Sequence, residues 1–72
     1  METKIRVLIA DPNEDMRMLL KDTISREEDM CVCGCASDGV ETLERVSELA
    51  PDVVVLELVM PRLDGLGVLR KL

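Results

Sequence analysis

The amino-acid sequence predicts an α/β fold with three parallel strands. Three short apolar runs occur at residues 5–10, 30–36 and 53–59, of which the first is rich in β-branched residues and the third is the most apolar. Segments with apolar residues at helical spacing follow each of these runs. Strands that alternate with helices over short links favour parallel pairing through right-handed crossovers. The predicted order is therefore β-α-β-α-β-α.

The first predicted helix follows a break in the apolar pattern at residues 11–13. Either Asp11 or Asn13 can cap its start, because both side chains can accept a backbone N–H of the first turn. The apolar positions that follow have the i, i+3, i+4, i+7, i+8 spacing of one helical face. They are Met16, Leu19, Leu20, Thr23 and Ile24.

Two further helices are predicted. Asp38 and Glu41 have the three-residue spacing of a capping box, which starts the second helix, and Pro51 ends it. A turn at residues 63–65 precedes the third helix, which covers residues 66–72. The apolar face of the second helix contains Val40, Leu43, Val46, Leu49 and Ala50.

The core is predicted to be aliphatic, because the chain contains no Phe, Trp or Tyr. The methionines are expected to fill it, namely Met16, Met18, Met30 and Met60. The other core candidates are Val7, Leu8, Ile9, Leu20, Ile24, Val32, Leu43, Val46, Val54, Val55, Leu56 and Leu66.

Charge and composition argue against two classes of partner. A net charge of −6 repels nucleic-acid backbones and anionic membranes. Without aromatic rings, the chain has no platform on which single-stranded bases could stack. No apolar run approaches the ~20 residues of a membrane-spanning helix, and the first residues lack the layout of a signal peptide. We expect a cytoplasmic protein that binds neither nucleic acid nor membrane directly.

Two acidic residues lie where a functional site is expected. Ligands of an open α/β sheet bind outside the carboxyl ends of its strands. Asp11 follows the first strand, and Glu57 lies late in the third. Two carboxylates near a free carbonyl would form an oxygen-rich site for a hard cation such as Mg²⁺. Asp11 could equally well serve only to cap the first helix.

Three groups of residues together resemble a response-regulator receiver domain of bacterial two-component systems. They are residues 9–11 at the end of the first strand, residues 54–61 around Glu57, and Leu63-Asp64-Gly65. Residues 28–30 and 37–39 are similar to the stage-zero A type of sporulation regulator. The resemblance implies a partial flavodoxin-like fold with strand order 2-1-3. It covers residues 1–72 and leaves out strand 4, helix 4, strand 5 and helix 5 of the family.

The resemblance also implies a phosphorylation site. Receivers take a phosphoryl group from a histidine kinase or phosphotransferase onto an aspartate, beside a bound Mg²⁺. Glu57 occupies the position of that phosphoacceptor, and Asp11 the first acidic position. Val59 supplies the metal-binding backbone carbonyl, and Pro12 replaces the second acidic residue.

The two substitutions predict a receiver that cannot be phosphorylated. Proline has no side-chain oxygen with which to bind a metal. The extra methylene of Glu57 moves its carboxylate by over ~1 Å, and displacements of that size can cost ~10²-fold in rate. We expect a weak or vestigial Mg²⁺ site and no enzymatic activity. Glu57 could be a tolerated polar residue, a fixed negative charge that imitates the activated state, or the remnant of a site without a role.

Three alternating cysteines form a separate candidate site. A regular strand would place Cys31, Cys33 and Cys35 on one face. Thiolates on one face could bind a soft metal ion, although neighbours on that face are ~7 Å apart. Packing in the core is the preferred interpretation.

Three functions remain as hypotheses. The first is a phosphorelay signalling module which, in the complete family, controls a DNA-binding transcription output. The second is an interaction protein that associates through the exposed edge of the third strand, as a homodimer or as a competitor of an intact regulator. The third is a cysteine-based metal binder.

Overall fold

The computed structural model describes residues 3–72, and the order of its elements is the predicted one. The strands are β1 (Ile5–Ala10), β2 (Met30–Ala36) and β3 (Val53–Leu56). The helices are α1 (Glu14–Ser25), α2 (Gly39–Leu49) and α3 (Gly65–Lys71).

The strands form one parallel sheet in the order β2-β1-β3. The chain leaves β1 in one direction towards β2 and returns past β1 to reach β3. Two right-handed crossovers of opposite direction place their helices on opposite faces of the sheet. α1 accordingly packs on one face against β1 and β2, and α2 packs on the other face with α3 beside it. The predicted strand order is confirmed.

β3 is shorter than predicted, since it ends at Leu56 and not at residue 59. The N–H of Glu57 still donates to the carbonyl of Ala10 at 2.9 Å. One residue later, the carbonyl of Leu58 accepts the N–H of Gly65 at 2.8 Å. This bond turns the chain away from the sheet. Leu58 and Val59 are consequently 53% and 80% exposed. An apolar run alone could not reveal this turn.

A β-bulge interrupts the pairing of β1 with β2. Val7 pairs with Val32, whereas the next residue, Leu8, pairs with Gly34. Cys33 is therefore the extra residue of β2. Because side chains alternate along a strand, an extra residue moves every later side chain to the other face. Gly34 lets α2 approach the strand closely, since a Cβ at this position would lie 2.6 Å from Leu49 Cδ1 and that side chain would have to move.

Each helix begins with an extended residue whose side chain accepts a backbone N–H, as helix caps do. Asn13 caps α1, which decides between the two candidates that the sequence offers. Asp38 caps α2 by accepting the N–H of Glu41, and Asp64 caps α3. The predicted start of α2 is confirmed. Among residues 3–72, no helix is long and apolar enough to cross a bilayer.

The core has its centre on β1, where three predicted core residues are buried. Val7, Leu8 and Ile9 are at most 2% exposed. On the α2–α3 side a cluster of four buried residues joins the ends of the strands to α3. It comprises Ala10, Ala36, Met60 and Val68. The remaining predicted core residues that are half-buried are Leu20, Ile24, Met30, Val32, Leu43, Val46, Val54 and Leu56.

Four core predictions were wrong. Val55 is 37% exposed because it lies on the face of β3 opposite the buried cluster, and Leu66 is 52% exposed on the outer side of α3. Met16 and Met18 of α1 are 42% and 62% exposed. The half-buried residues of α1 include Arg17, Leu20 and Ile24, which have the 3–4 residue spacing of one helical face. Met16 and Met18 lie on either side of that face.

Candidate functional site

The first carboxylate of the predicted site lies in the turn between β1 and α1. The N–H of Asp11 donates to the carbonyl of Ala36 at 3.0 Å, which fixes this residue at the end of the sheet. Its carboxylate Oδ1 accepts the N–H of Asn13 at 2.8 Å. Arg17 Nη1 donates to the Asp11 carbonyl at 2.8 Å. Asp11 therefore shapes the turn, while Asn13 caps the helix.

The second carboxylate lies at the end of β3. Glu57 follows Leu56 directly, and its N–H bond to the Ala10 carbonyl places it beside the end of β1. The prediction that the strand ends bring Asp11 and Glu57 to one edge of the sheet is confirmed. The Glu57 carboxylate folds back onto its own loop, where Oε1 accepts the N–H groups of Leu58 at 2.9 Å and Val59 at 3.4 Å.

These residues are a poor match to a magnesium site. Mg²⁺ requires near-octahedral oxygen coordination and is held in proteins by carboxylates, carbonyls and water. Asp11 and Glu57 each use one carboxylate oxygen in a local hydrogen bond, and Pro12 has no side-chain oxygen to add. Among residues 3–72, no group of three or more ligand-type side chains is placed to hold a metal ion. The carbonyl of Val59 belongs to an exposed turn.

The loop that carries Glu57 is anchored by the start of α3. Asp64 Oδ1 accepts the N–H of Gly67 at 2.8 Å and so caps the helix. A Cβ on Gly65 would lie 2.5 Å from the carbonyl oxygen of Glu57 and 2.7 Å from the Cα of Leu58. The close approach of the loop to α3 therefore requires glycine at residue 65.

An ion pair that the sequence did not predict joins this loop to α2. Arg62 adopts a left-handed conformation with φ of 65°. Its Nη2 lies 3.0 Å from Asp38 Oδ2. The N–H of Glu41 and the Arg62 guanidinium together hold the pKa of Asp38 below its ordinary value. Nothing in the sequence around Arg62 indicates that its side chain will bind Asp38, which caps a helix 24 residues earlier.

The cysteines do not share one face, contrary to prediction. Cys31 pairs with Arg6, whereas Cys35 pairs with Ile9, and consecutive pairs along β1 alternate between the two faces. Arg6 and Ile9 are three residues apart and so lie on opposite faces, which separates Cys31 from Cys35. The bulge at Cys33 causes this separation. All three are free thiols of intermediate exposure, and the structure gives the metal-binding hypothesis no support.

Comparison with known proteins supports the receiver resemblance. Residues 7–72 match the family model of the response regulator receiver domain. A protein-glutamate methylesterase/protein-glutamine glutaminase of Myxococcus xanthus is 53% identical over 68 residues, which are 94% of this chain and 20% of the relative. A protein of the same name from Pyrococcus abyssi is 49% identical over 67 residues, 93% of this chain and 18% of the relative. The chain thus spans about a fifth of the length of these relatives.

Solved structures confirm the fold. The response regulator domain of Thermotoga maritima CheB matches with a TM-score of 0.91 and 46% identity, over 93% of this chain and 50% of that chain. The receiver domain of NarL from Mycobacterium tuberculosis matches with a TM-score of 0.88 and 33% identity, over 92% of this chain and 53% of that chain. The partial flavodoxin-like receiver fold is therefore confirmed. The assignment to sporulation regulators was wrong, because these curated relatives are methylesterases.

Proposed function

The chain belongs to the response regulator receiver domain family, and on that premise we propose that it is a signalling receiver that cannot accept a phosphoryl group. One observation carries the proposal. Glu57, which the resemblance matches to the family's phosphoacceptor, directly follows β3, and its carboxylate accepts the N–H of Leu58 at 2.9 Å.

Geometry makes Glu57 a poor acceptor. Phosphoryl transfer depends on in-line positioning and on stabilisation of the charge that develops on the transferred group. The glutamate oxygen lies one methylene further from the backbone than an aspartate oxygen would. Oε1 is also committed to the backbone of its own loop. Pro12 removes a negative group that would help to hold the cation. Each of these features lowers the rate of transfer.

The partners of the signalling module follow from the family. Receiver domains interact with histidine kinases or phosphotransferases, and we propose that this chain binds the same class of protein without exchanging phosphate. The named relatives are protein-glutamate methylesterases, and they give no support to the DNA-binding output predicted from the sequence. We therefore propose that the regulated output is a methylesterase.

A small-molecule phosphodonor provides the test. The purified chain is incubated with radiolabelled acetyl phosphate and Mg²⁺, and the retained label is measured together with the intact mass. We expect no phosphoryl adduct. The Glu57→Asp variant is the matched control, because it restores the shorter acceptor and leaves Pro12 in place. We expect no adduct on this variant either, because the cation site stays incomplete.

Label that appears on the unmodified chain and disappears in the Glu57→Gln variant would overturn the proposal. Label on Glu57→Asp alone would show that the acceptor length, and not Pro12, blocks the transfer.

A second candidate function is association through the edge of β3. It is favoured by the exposure of Val53 and Val55, which are 46% and 37% accessible although they lie within a strand. An apolar strand at the edge of a sheet presents unpaired backbone groups that can pair with another chain. A chain of this kind would act as an interaction protein and would need no phosphorylation.

A further inference from the structure

The edge of the sheet formed by β2 is free. Among residues 3–72, β2 pairs with β1 alone. The N–H of Asp11 donates to the carbonyl of Ala36 at 3.0 Å, and the carbonyl of Asp29 likewise accepts an N–H of β1. Because successive residues of a strand direct their backbone groups to opposite sides, the N–H and C=O groups of Cys35 and Met30 face away from β1. Groups of this kind can pair with a further strand.

One side of α1 enlarges this edge into a broader surface. Met18 and Lys21 border an open cavity of about 170 Å³ with Cys35 of β2, so their side of the helix lies towards the β2 edge. The same two residues border a second open cavity, of about 370 Å³, with Asp22 and Ser25. Met18 is 62% exposed. We call the surface formed by Met18, Lys21, Asp22, Ser25 and the free edge of β2 the β2 flank.

The charges of the β2 flank are of both signs. Asp22 Oδ2 lies 2.9 Å from Arg26 Nη2, whereas Lys21 forms no ion pair with any of residues 3–72. The ammonium group of Lys21 is therefore available to a carboxylate of a partner. A carboxylate can accept several hydrogen bonds, so Asp22 can receive a second cation. A surface on which a cation and an anion lie side by side is complementary to an inverted copy of itself.

The geometry of the sheet suits such an inverted copy. α1 packs over β1 and β2. If two β2 edges pair antiparallel about a two-fold axis, the midpoints of the two β1–β2 pairs are two strand spacings apart, or roughly 10 Å. Packed helices lie about 8–10 Å apart, so the two α1 helices come into contact. α2 covers the same two strands on the other face, and the same spacing brings the two α2 helices together.

The twist of the sheet also sets a favourable angle between the helices. Adjacent strands are rotated by roughly −20 to −25°, so helices two strands apart cross at roughly −40 to −50°. The commonest packing angle of two helices is about −50°. Two copies joined at β2 would therefore pack their helices in an ordinary α/β arrangement on both faces.

We propose that the β2 flank binds a second copy of the chain and forms a two-fold dimer with one continuous sheet. The two α1 helices run antiparallel, so Lys21 of one copy faces Asp22 of the other, and Met18 is covered beside them. An extended peptide would suit the flank less well, because it would leave the side of α1 uncovered. The bulge at Cys33 also keeps the run of regular strand pairing short.

This dimer goes beyond both candidate functions. It requires no phosphotransfer, and it uses the edge of the sheet opposite to β3. The net charge of −6 on each copy opposes association at long range. At about 0.15 M salt the screening length is about 8 Å, so this long-range repulsion is largely removed while contacts within the flank remain.

Sedimentation velocity of the full chain over a range of concentrations, at about 0.15 M salt, tests the proposal. We expect a concentration-dependent dimer. Met18→Asp should weaken it by about tenfold or more, because the dimer would bury an unpaired charge in each copy. Leu19→Asp is the matched control, since Leu19 is 58% exposed and lies on the other side of α1, at about 100° of rotation per residue. We expect it to change the dissociation constant by less than about twofold.

A charge exchange tests the two-fold pairing itself. We expect Lys21→Asp and Asp22→Lys each to weaken the dimer by about fivefold or more, because each places like charges together twice in the dimer. The variant with both substitutions should recover to within about twofold of the unmodified chain. Circular dichroism of each variant shows whether the fold is kept, as we expect for substitutions on an exposed side of α1.

Four results would contradict the proposal. A monomer at every concentration would overturn the dimer. Equal effects of Met18→Asp and Leu19→Asp would overturn the β2 flank. A dimer weakened by Leu19→Asp alone would place the association on the β3 side and so support the second candidate function instead. Weakening by both single charge variants without recovery in the double variant would overturn the pairing of Lys21 with Asp22.

Discussion

At the scale of the residue, the chemistry of the site depends on Pro12 and Glu57. The side chain of Pro12 has no oxygen with which to bind a cation, and the residue lies in the turn where Asp11 Oδ1 accepts the N–H of Asn13. Glu57 keeps a negative charge at the end of β3, but its carboxylate binds the backbone next to it. The remaining negative charge is lower than that of a phosphoryl group, which adds about −1.5 to −2 and three acceptor oxygens.

Restoring the missing acid should restore cation binding. We expect Pro12→Asp to raise the affinity for Mg²⁺ by about tenfold or more, because an added charge at ~4 Å contributes on the order of kilocalories per mole at a protein surface. Calorimetric titration with MgCl₂ measures the affinity of the variant and of the unmodified chain.

Pro12→Ala is the control for this experiment, since it removes the proline ring without adding a ligand. Equal affinities of the two variants would mean that the residue at this position does not face the cation.

At the scale of the element, the start of α2 is where the loop after β3 is held. Asp38 caps the helix through the N–H of Glu41 at 2.8 Å and also binds Arg62. The N–H of Gly39 donates to the carbonyl of Pro61 at 3.4 Å. A Cβ on Gly39 would collide with the carbonyl oxygen of Leu63. The loop and the helix start are therefore one packed unit.

This unit should make the fold sensitive to acid. The pKa of Asp38 is lower in the folded chain, chiefly because the N–H of Glu41 favours the charged carboxylate and then because of Arg62. The folded state therefore binds fewer protons than the unfolded state. The contribution to stability is complete above the ordinary carboxyl pKa and is lost as the pH falls through the lowered folded-state pKa. We expect the urea midpoint to decrease between about pH 5 and about pH 2.

Asp38→Asn separates this effect from the other carboxylates, because asparagine can still cap the helix but does not titrate. We expect the variant to lose less stability than the unmodified chain over the same pH range. An identical pH profile for both chains would contradict the assignment to Asp38.

At the scale of the whole molecule, the two faces of the sheet are covered unequally. On the α2–α3 face, Val54 and Leu56 pack against a closed cluster. On the other face, α1 covers β2 and β1 but not β3, so Val53 and Val55 are exposed. A chain of this length is expected to be only marginally stable, at about 0.05–0.15 kcal/mol per residue. Because the two faces are covered unequally, neighbouring residues of β3 should contribute very different amounts to the free energy of unfolding.

Matched substitutions on the two faces of β3 test this asymmetry. We expect Val54→Asp to lower the free energy of unfolding by about 2–3 kcal/mol, because it places a charge against the buried cluster. We expect Val55→Asp to lower it by less than about 1 kcal/mol. Urea unfolding followed by circular dichroism measures both. Similar losses for the two variants would show that the α1 face of β3 is covered in solution.

Much of the fold could be predicted from local patterns. The order of the elements, β1 and β2, the cap of α2 and the burial of Val7, Leu8 and Ile9 all follow from periodicity and turn residues. The end of β3 could not be predicted, because Leu58 and Val59 are as apolar as the strand. Their departure from the sheet depends on a hydrogen bond between Leu58 and Gly65, which is a contact between two elements.

The sequence by itself determined which groups can meet at the edge of the sheet. Parallel strands end on the same side, so Asp11 and Glu57 had to lie at the same edge of the sheet once the strands were assigned. Only the tertiary structure decided how those groups are used. The bulge at Cys33 separates the cysteines, Asp38 binds Arg62, and α1 stops short of Val53 and Val55. Each of these features arises where elements distant in sequence pack together, and residue order within one element carries no record of such a contact.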